Sequence, residues 1–135
     1  MPKPPPVVAI VDDEESVRRA LERLLRSAGF AVQTFPTGAE FLRSLREHCP
    51  ACVVLDLHMP DLSGLDVQIL IARERFNVPI VVITGHDTPE ARARVLERGA
   101  KAYLRKPVDG ELLLKAIDDA IVGAAGVSNN QSKSC

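Results

Sequence analysis

The chain has 135 residues, of which 46% are hydrophobic and 26% charged, with a formal net charge of -1. These values are ordinary for one soluble globular domain and argue against a disordered chain. Because 17 basic residues nearly balance 18 acidic ones, the chain has no general attraction to nucleic acid or to an anionic membrane, and we expect any link to DNA to be indirect.

The N-terminal residues MPKPPPVVAIVDDEE place one lysine and a group of prolines before a short apolar run. This pattern lacks the features of a secretory signal, and no later run approaches the length of a membrane span. The chain has three cysteines, and an odd number argues against a disulfide framework. We therefore expect a cytoplasmic protein without membrane association.

The first half of the chain predicts two strand and helix units. The β-branched run Val7–Val11 predicts a strand, and apolar residues at helical spacing then lead to Gly29 as the end of a helix. Residues 30–35 predict the second strand. Thr37, followed three residues later by Glu40, predicts a capping box at the start of the second helix.

The second half continues the alternation. Further strands are predicted at residues 52–57, 78–84 and 101–105. A helix over residues 65–74 separates the first two, and Thr88 as N-cap, Pro89 at the first helical position and Gly99 at the end define the next helix. Asp109 is expected to cap the last helix. Its predicted inward face comprises Leu112, Leu113, Ala116, Ile117, Ala120 and Ile121.

Strands that alternate with helices and read as continuous apolar runs predict an α/β fold with a parallel sheet covered on both faces. Right-handed crossovers make such a sheet doubly wound. We expect one domain at residues 7–122, an N-terminal arm at 1–6, and a flexible tail or linker stump at 123–135. The sequence of that tail, GAAGVSNNQSKSC, has no periodicity and predicts disorder.

Polar side chains follow four of the predicted strands. Asp12 and Asp13 follow the first strand, Asp56 lies near the end of the third, Thr84 ends the fourth and Lys106 follows the fifth. Ligands bind outside the carboxyl ends of parallel strands, so we expect these side chains to converge there. An unpaired buried carboxylate is costly, and Asp56 is therefore expected to meet a cation.

The convergence of three carboxylates implies a metal ion. Two unit charges about 4 Å apart repel by about 4 kcal/mol at an effective dielectric of about 20. A divalent cation together with Lys106 neutralises the three aspartates, and an all-oxygen donor set favours Mg²⁺ or Mn²⁺ over Zn²⁺. A metal, a carboxylate nucleophile, an ammonium and a hydroxyl are the groups that phosphoryl transfer onto an aspartate requires.

The segments IVDDEE, LDLHMPDLSG, VVITGHD and GAKAYLRKP together resemble the receiver domain of two-component response regulators, over residues 7 to about 122. The resemblance implies a flavodoxin-like fold with strand order 2-1-3-4-5. It also implies a phosphorylation-activated switch that takes its phosphoryl group from a sensor histidine kinase or a phosphotransfer protein. Such a domain catalyses only its own phosphorylation and dephosphorylation.

The same resemblance assigns the metal site. Asp56 would be the phosphoryl acceptor and a Mg²⁺ ligand, Asp13 a direct ligand, Asp12 a ligand through water, and the backbone carbonyl of His58 would complete the protein's share.

The resemblance also assigns the switch. Thr84 would turn towards the phosphoryl group, Lys106 would pair with it, and Tyr103 would change between inward and outward rotamers. Lys106-Pro107 would be a cis peptide. The fourth helix, fifth strand and fifth helix would form the output surface, with homodimer formation on phosphorylation and DNA reached only through an output domain outside this chain.

The sequence departs from the common family pattern at Gly85, where alanine is more usual, and in having imidazoles at His58 and His86. Two other functions use similar residues. An Asp-nucleophile phosphohydrolase would need a second aspartate at the place of His58, and a pseudo-receiver would keep the fold without phosphorylation. Asp12 and Asp13 could also act only as helix N-terminal charges.

The segment HCPAC contains a CxxC pattern, Cys49 and Cys52. A redox CxxC opens a helix after a strand, whereas this one follows a helix and enters a strand. A zinc site needs more ligands than the neighbouring His48 supplies. The pattern therefore predicts a loop cysteine and a buried strand cysteine, since a free thiol behaves as a small hydrophobic group.

Overall fold

The computed structural model describes residues 3–125. The strands are β1 (Val7–Val11), β2 (Ala31–Phe35), β3 (Cys52–Asp56), β4 (Ile80–Thr84) and β5 (Ala102–Arg105). The helices are α1 (Glu15–Ser27), α2 (Gly38–Leu45), α3 (Gly64–Arg73), α4 (Pro89–Glu97) and α5 (Gly110–Ala125). All strand pairs are parallel in the order β2-β1-β3-β4-β5, which confirms the predicted doubly wound α/β fold.

The central strands β3 and β4 are buried along their whole length, because helices cover both faces of the sheet. Alternate strand residues enter two apolar cores. Val54 packs with Leu25 of α1 and Ile117 of α5 on one face. Val53 packs with Ile71 of α3 and other side chains of α2, α3 and α4 on the opposite face. Within residues 3–125, none of the helices is long and apolar enough to span a membrane.

The strand register places the carboxyl ends at one level. Val11 pairs with Leu55, so Asp12 and Asp56 follow neighbouring positions. Thr84 pairs with Arg105, which brings the next residue, Lys106, close to the end of β4. The predicted convergence of polar groups at this edge therefore follows from the parallel register.

The start of β4 differs from the prediction. The strand begins at Ile80 and not at residue 78, because Pro79 has no N–H to donate to the ladder. Its carbonyl still accepts a hydrogen bond from the Val53 N–H at 3.0 Å.

The prediction for α5 is wrong at one residue of the inward face. Leu112 is 56% exposed, whereas Leu113, Ile117 and Ala120 are buried. Their spacing of four and three residues defines the inward face, and Leu112 lies beside it.

The end of α5 also corrects the predicted boundary. The helix continues to Ala125 rather than ending at residue 122, consistent with the high helix propensity of alanine in this segment. The remainder of the predicted tail lies outside the described residues.

Helix ends fix the loops around the site. Thr37 accepts a hydrogen bond from the Glu40 N–H, but the reciprocal capping box belongs to Ser63 and Asp66 at the start of α3. Gly64 follows directly, and a Cβ there would lie 2.5 Å from the Asp56 carbonyl oxygen. Only glycine allows α3 to begin this close to β3.

Candidate functional site

The three predicted aspartates come together at the carboxyl edge of the sheet. Asp12 and Asp56 are 0% and 2% exposed, and Asp13 is exposed to solvent. One carboxylate oxygen from each lies within 4.8 Å of the others. The group offers an oxygen-lined position that is accessible from one side.

Lys106 neutralises part of this charge. Its Nζ lies 2.9 Å from Asp12 Oδ2, 3.3 Å from Asp56 Oδ1 and 3.6 Å from Glu14 Oε1. The peptide between Lys106 and Pro107 is cis, as the resemblance implied. The ammonium thus lies between the two buried carboxylates.

Burial disfavours the ionised form of Asp56 more than Lys106 favours it. The pKa of Asp56 is raised from 3.8 to about 6, chiefly by burial and secondly by the Asp12 charge, while Lys106 acts in the opposite direction. Burial would lower the pKa of Lys106, but its close contact with the Asp12 carboxylate and the charges of Asp56 and Asp12 raise it overall. An ionised Asp56 therefore lacks sufficient compensating positive charge.

The donor set fits a hard divalent cation. Asp12 Oδ2 is buried and, despite its ion pair with Lys106, accepts no hydrogen bond of acceptable geometry from the described residues. The Lys106 ammonium offsets part of its charge, and the remaining acceptor capacity of a buried carboxylate favours a further cation or water beside it. Carboxylate oxygens are ligands that Mg²⁺ and Mn²⁺ prefer. Asp12, Asp13 and Asp56 supply three such carboxylate oxygens at one position.

His58 borders the site through its backbone and its side chain. Its N–H lies 3.4 Å from Asp56 Oδ1. Its Nδ1 lies 3.3 Å from the Thr84 hydroxyl, and its ring meets the His86 ring edge-on at 5.4 Å between centroids. The two imidazoles singled out in the sequence therefore form one pair beside Thr84.

Thr84 is fully buried at the end of β4, and its hydroxyl bonds to the following loop. It accepts a hydrogen bond from the His86 N–H at 3.0 Å and donates to the His86 carbonyl at 3.3 Å. The hydroxyl is thus engaged with the loop that leads to α4.

Tyr103 lies in the core and not among the carboxylates. Its ring is 6% exposed and packs with Val95, and the Arg92 guanidinium lies 5.5 Å from the ring centroid. The hydroxyl has no hydrogen-bond partner of acceptable geometry within the described residues. Burial raises the pKa of Tyr103, and the Asp87 carboxylate adds to this effect. The ring of Tyr103 is therefore part of the core.

Two contributors to the site were not singled out from the sequence. Glu14 reaches Lys106, and Arg18 donates from its guanidinium to the Asp12 carbonyl at 2.8 Å. The acidic run IVDDEE is the signal for Glu14, whereas nothing in the sequence distinguishes Arg18 from its neighbours. Asp12 Oδ1 also accepts a hydrogen bond from the Glu14 N–H at 2.9 Å, so it serves the start of α1 as well as the site.

The second cysteine of the CxxC pattern is a core residue. Cys52 is free and fully buried in the sheet, where burial raises its thiol pKa to about 12. A protonated, inaccessible thiol is a poor nucleophile. The expectation of a buried strand cysteine at this position is confirmed.

The comparisons with known proteins agree on one family. The family model of the response regulator receiver domain matches residues 8–118. The chain is 40% identical over 111 residues to nodulation protein W of Bradyrhizobium diazoefficiens, covering 82% of this chain and 49% of that protein. It is 37% identical over 115 residues to the response regulator protein TmoT of Ectopseudomonas mendocina, covering 85% and 52%.

A solved structure supports the same assignment. The crystal structure of FixJ-N superposes with a TM-score of 0.82 at 33% identity, covering 90% of this chain and 96% of that one. The chain spans about half the length of the two curated relatives described above. It belongs to the response regulator receiver domain family of two-component signal transduction.

Proposed function

We propose that this receiver domain is a cytoplasmic signalling switch that is phosphorylated on Asp56 by a sensor histidine kinase or a phosphotransfer protein. One observation carries the proposal: Asp56 shares the carboxyl edge of the sheet with two further aspartates and an ammonium. An acceptor carboxylate placed this way has the charge environment that phosphoryl transfer requires.

The transfer is a displacement at phosphorus. An oxygen of Asp56 forms the new O–P bond while the P–N bond of a phosphohistidine donor breaks. The electron pair leaves with the imidazole, which takes up a proton. Lys106, 3.3 Å from Asp56 Oδ1, offsets negative charge on the acceptor and the incoming group.

The ligands of Mg²⁺, or of Mn²⁺ in its place, would be Asp12, Asp13, Asp56 and the His58 carbonyl. The ion, when bound, supplies the positive charge that offsets the phosphoryl oxygens. On the loop after β1, Asp12 provides a buried carboxylate and Asp13 an exposed one to bind the ion.

The switch begins at Thr84. Its hydroxyl would leave the His86 backbone and donate to a phosphoryl oxygen, which withdraws two hydrogen bonds from the loop before α4. Tyr103 would then report the change through its rotamer. The output surface would be α4, β5 and α5, with homodimer formation on phosphorylation and DNA reached only through a separate output domain.

The domain would catalyse its own phosphorylation and dephosphorylation only. A phosphohydrolase of the Asp-nucleophile type would need a second aspartate two residues after Asp56, where His58 stands. A pseudo-receiver would lack a complete acceptor site, whereas Asp12, Asp13, Asp56, Thr84 and Lys106 are all present.

Intact-mass measurement after incubation with Mg²⁺ and a small phosphodonor tests this function. We expect the wild type to gain the mass of one phosphoryl group and Asp56→Asn to gain none. Asp61→Asn is the matched control, because Asp61 is an exposed loop aspartate with φ of 69° and asparagine tolerates that conformation.

Three results would contradict the proposal. No mass gain in the wild type would favour the pseudo-receiver. A gain retained in Asp56→Asn would show that another residue is the phosphoryl acceptor. Sustained phosphate release with multiple turnovers would favour the phosphohydrolase. Chelation of divalent ions should abolish the mass gain.

A further inference from the structure

Four polar side chains are buried within the described part of the chain: Asp12, Asp56, Gln68 and Thr84. Three of them belong to the site, and Gln68 lies on α3 with 2% of its surface exposed. Its helical neighbours Val67 and Ile71 are apolar core residues. An amide buried in such surroundings is unfavourable unless it makes hydrogen bonds.

Gln68 makes a hydrogen bond to a different helix. Its Nε2 donates to the Val95 carbonyl of α4 at 3.1 Å. Its Oε1 is buried and has no hydrogen-bond partner among residues 3–125. The Val95 carbonyl also accepts from the Ala100 N–H at 3.3 Å, so it is satisfied without Gln68. We call the bond from Gln68 to Val95 the Gln68 tether.

One end of the tether is fixed to the strand that carries Asp56. The Gly64 N–H at the start of α3 donates to the Leu57 carbonyl at 2.8 Å. A Cβ at Gly64 would clash with the Asp56 carbonyl, so the backbones of α3 and β3 are in direct contact. The position of Gln68 is therefore set relative to the acceptor carboxylate.

The other end holds a helix with little packing of its own. Val95 is the only buried residue of α4 between Pro89 and Glu97. The helix is otherwise connected to the site through the loop at residues 85–88, which the Thr84 hydroxyl holds by its two bonds to His86. Those two bonds lie before the start of α4, and the Gln68 tether lies near its end.

We propose that Gln68 is a positioning residue that tethers the end of α4 to α3 in the unphosphorylated protein and opposes activation of the switch. Its role in activation rests on the function proposed above. Phosphorylation at Asp56 must then break the tether before α4 can move. A neutral hydrogen bond in a protein changes such an equilibrium by about two- to tenfold.

Gln68→Met tests the tether, because methionine keeps the side-chain length and removes both amide atoms. Gln68→Asn is a second variant that stays polar but is too short to reach Val95. Ile71→Val is the matched control, since it changes a buried residue of the same helix without touching the tether. Each variant is made in the full chain.

Two measurements are made on each variant. Amide hydrogen exchange of α4 without a phosphodonor reports the tether itself. Binding of beryllofluoride in the presence of Mg²⁺ reports activation. The binding is monitored by the fluorescence of Tyr103, because the chain has one tyrosine and no tryptophan. Asp56→Asn shows which part of the binding signal requires the acceptor.

We expect exchange at the end of α4 to rise by about two- to tenfold in both Gln68 variants, with beryllofluoride affinity rising by a similar factor. Ile71→Val should leave both unchanged. Unchanged α4 exchange in a folded Gln68 variant overturns the tether. Faster exchange with unchanged affinity overturns its role in activation. A wild type that binds no beryllofluoride through Asp56 overturns the proposed function, and the exchange data still decide whether the tether exists.

Discussion

The two helices beside the edge strand β5 are held in different ways. α5 buries Leu113, Ile117 and Ala120 against the sheet, whereas α4 buries Val95 alone. Apolar burial stabilises the first, while the second depends on its cap, on the Gln68 bond and on the loop from Thr84. Segments with few buried apolar contacts open at lower free energy than the core. The less well packed helix, α4, follows the loop that the Thr84 hydroxyl holds through two hydrogen bonds.

Leu113→Ala should give the largest loss of stability, because it creates a cavity in the core beneath α5. We expect the free energy of unfolding in urea to fall by about 2–5 kcal/mol. Leu112→Ala makes the same substitution one residue earlier at an exposed position and should change stability by less than about 0.5 kcal/mol. Equal effects of the two would contradict the inward face assigned to α5.

Asp56→Asn should stabilise the metal-free protein, in contrast to substitutions in the core. Burial raises the pKa of Asp56 from 3.8 to about 6, so the folded wild type binds more protons than the unfolded chain between these values. Its stability therefore falls as the pH rises from about 4 to about 6, and asparagine avoids this loss. We expect a gain of about 2–3 kcal/mol at pH 7 and none below about pH 4.

Urea unfolding at pH 4 and pH 7 in the presence of a chelator measures this gain. Asp61→Asn, at an exposed position, should show no comparable pH-dependent gain. A gain of equal size at both pH values would show that ionisation of Asp56 is not its cause. Added Mg²⁺ should stabilise the wild type more than Asp56→Asn and so reduce the difference.

Gly64→Ala should disturb the junction between the core and the site. The new Cβ would meet the Asp56 carbonyl oxygen at 2.5 Å and the Leu57 Cα at 2.9 Å, both of them backbone atoms. Such overpacking costs about 1–3 kcal/mol, and displacement of the Asp56 peptide should also slow phosphorylation by a small phosphodonor.

Gly85→Ala is the matched control for this change. A Cβ at Gly85 meets only Lys106 Cδ, at 4.0 Å, which is an ordinary contact. Its stability should match that of the wild type in urea unfolding. If Gly85→Ala lost as much stability as Gly64→Ala, steric contact with β3 would not explain the need for glycine at position 64.

Thr88→Ala should have the smallest effect and should act on α4. The Thr88 hydroxyl accepts a hydrogen bond from the Ala91 N–H at 3.0 Å, and removal of such an N-cap costs about 1 kcal/mol. Amide exchange should accelerate at the start of α4 and remain unchanged in α5. Thr88→Ser keeps the acceptor and should preserve the wild-type rate; acceleration spread equally over both helices would contradict the separate anchoring of α4.

Local patterns in the sequence predicted most of the architecture. The apolar strand runs, the Thr88-Pro89 start of α4 and the Gly99 end predicted elements within a few residues of those observed, because these signals act between near neighbours. The placement of polar residues directly after parallel strands also predicted which side chains would share an edge. The predicted helix face of α5 was wrong at Leu112, because a residue at the border of an apolar face is buried only if a neighbouring element covers it.

The sequence by itself determined the alternation of strands and helices, the polar carboxyl edge and the chemical types of its side chains. Only the tertiary structure decided that Lys106 lies between Asp12 and Asp56 with Glu14 beside it, and that Gln68 bonds to a carbonyl 27 positions away. The physical reason is that burial and long-range hydrogen bonds depend on which elements become neighbours after the chain folds. A single glutamine in a helix carries no local signal of the carbonyl it will meet.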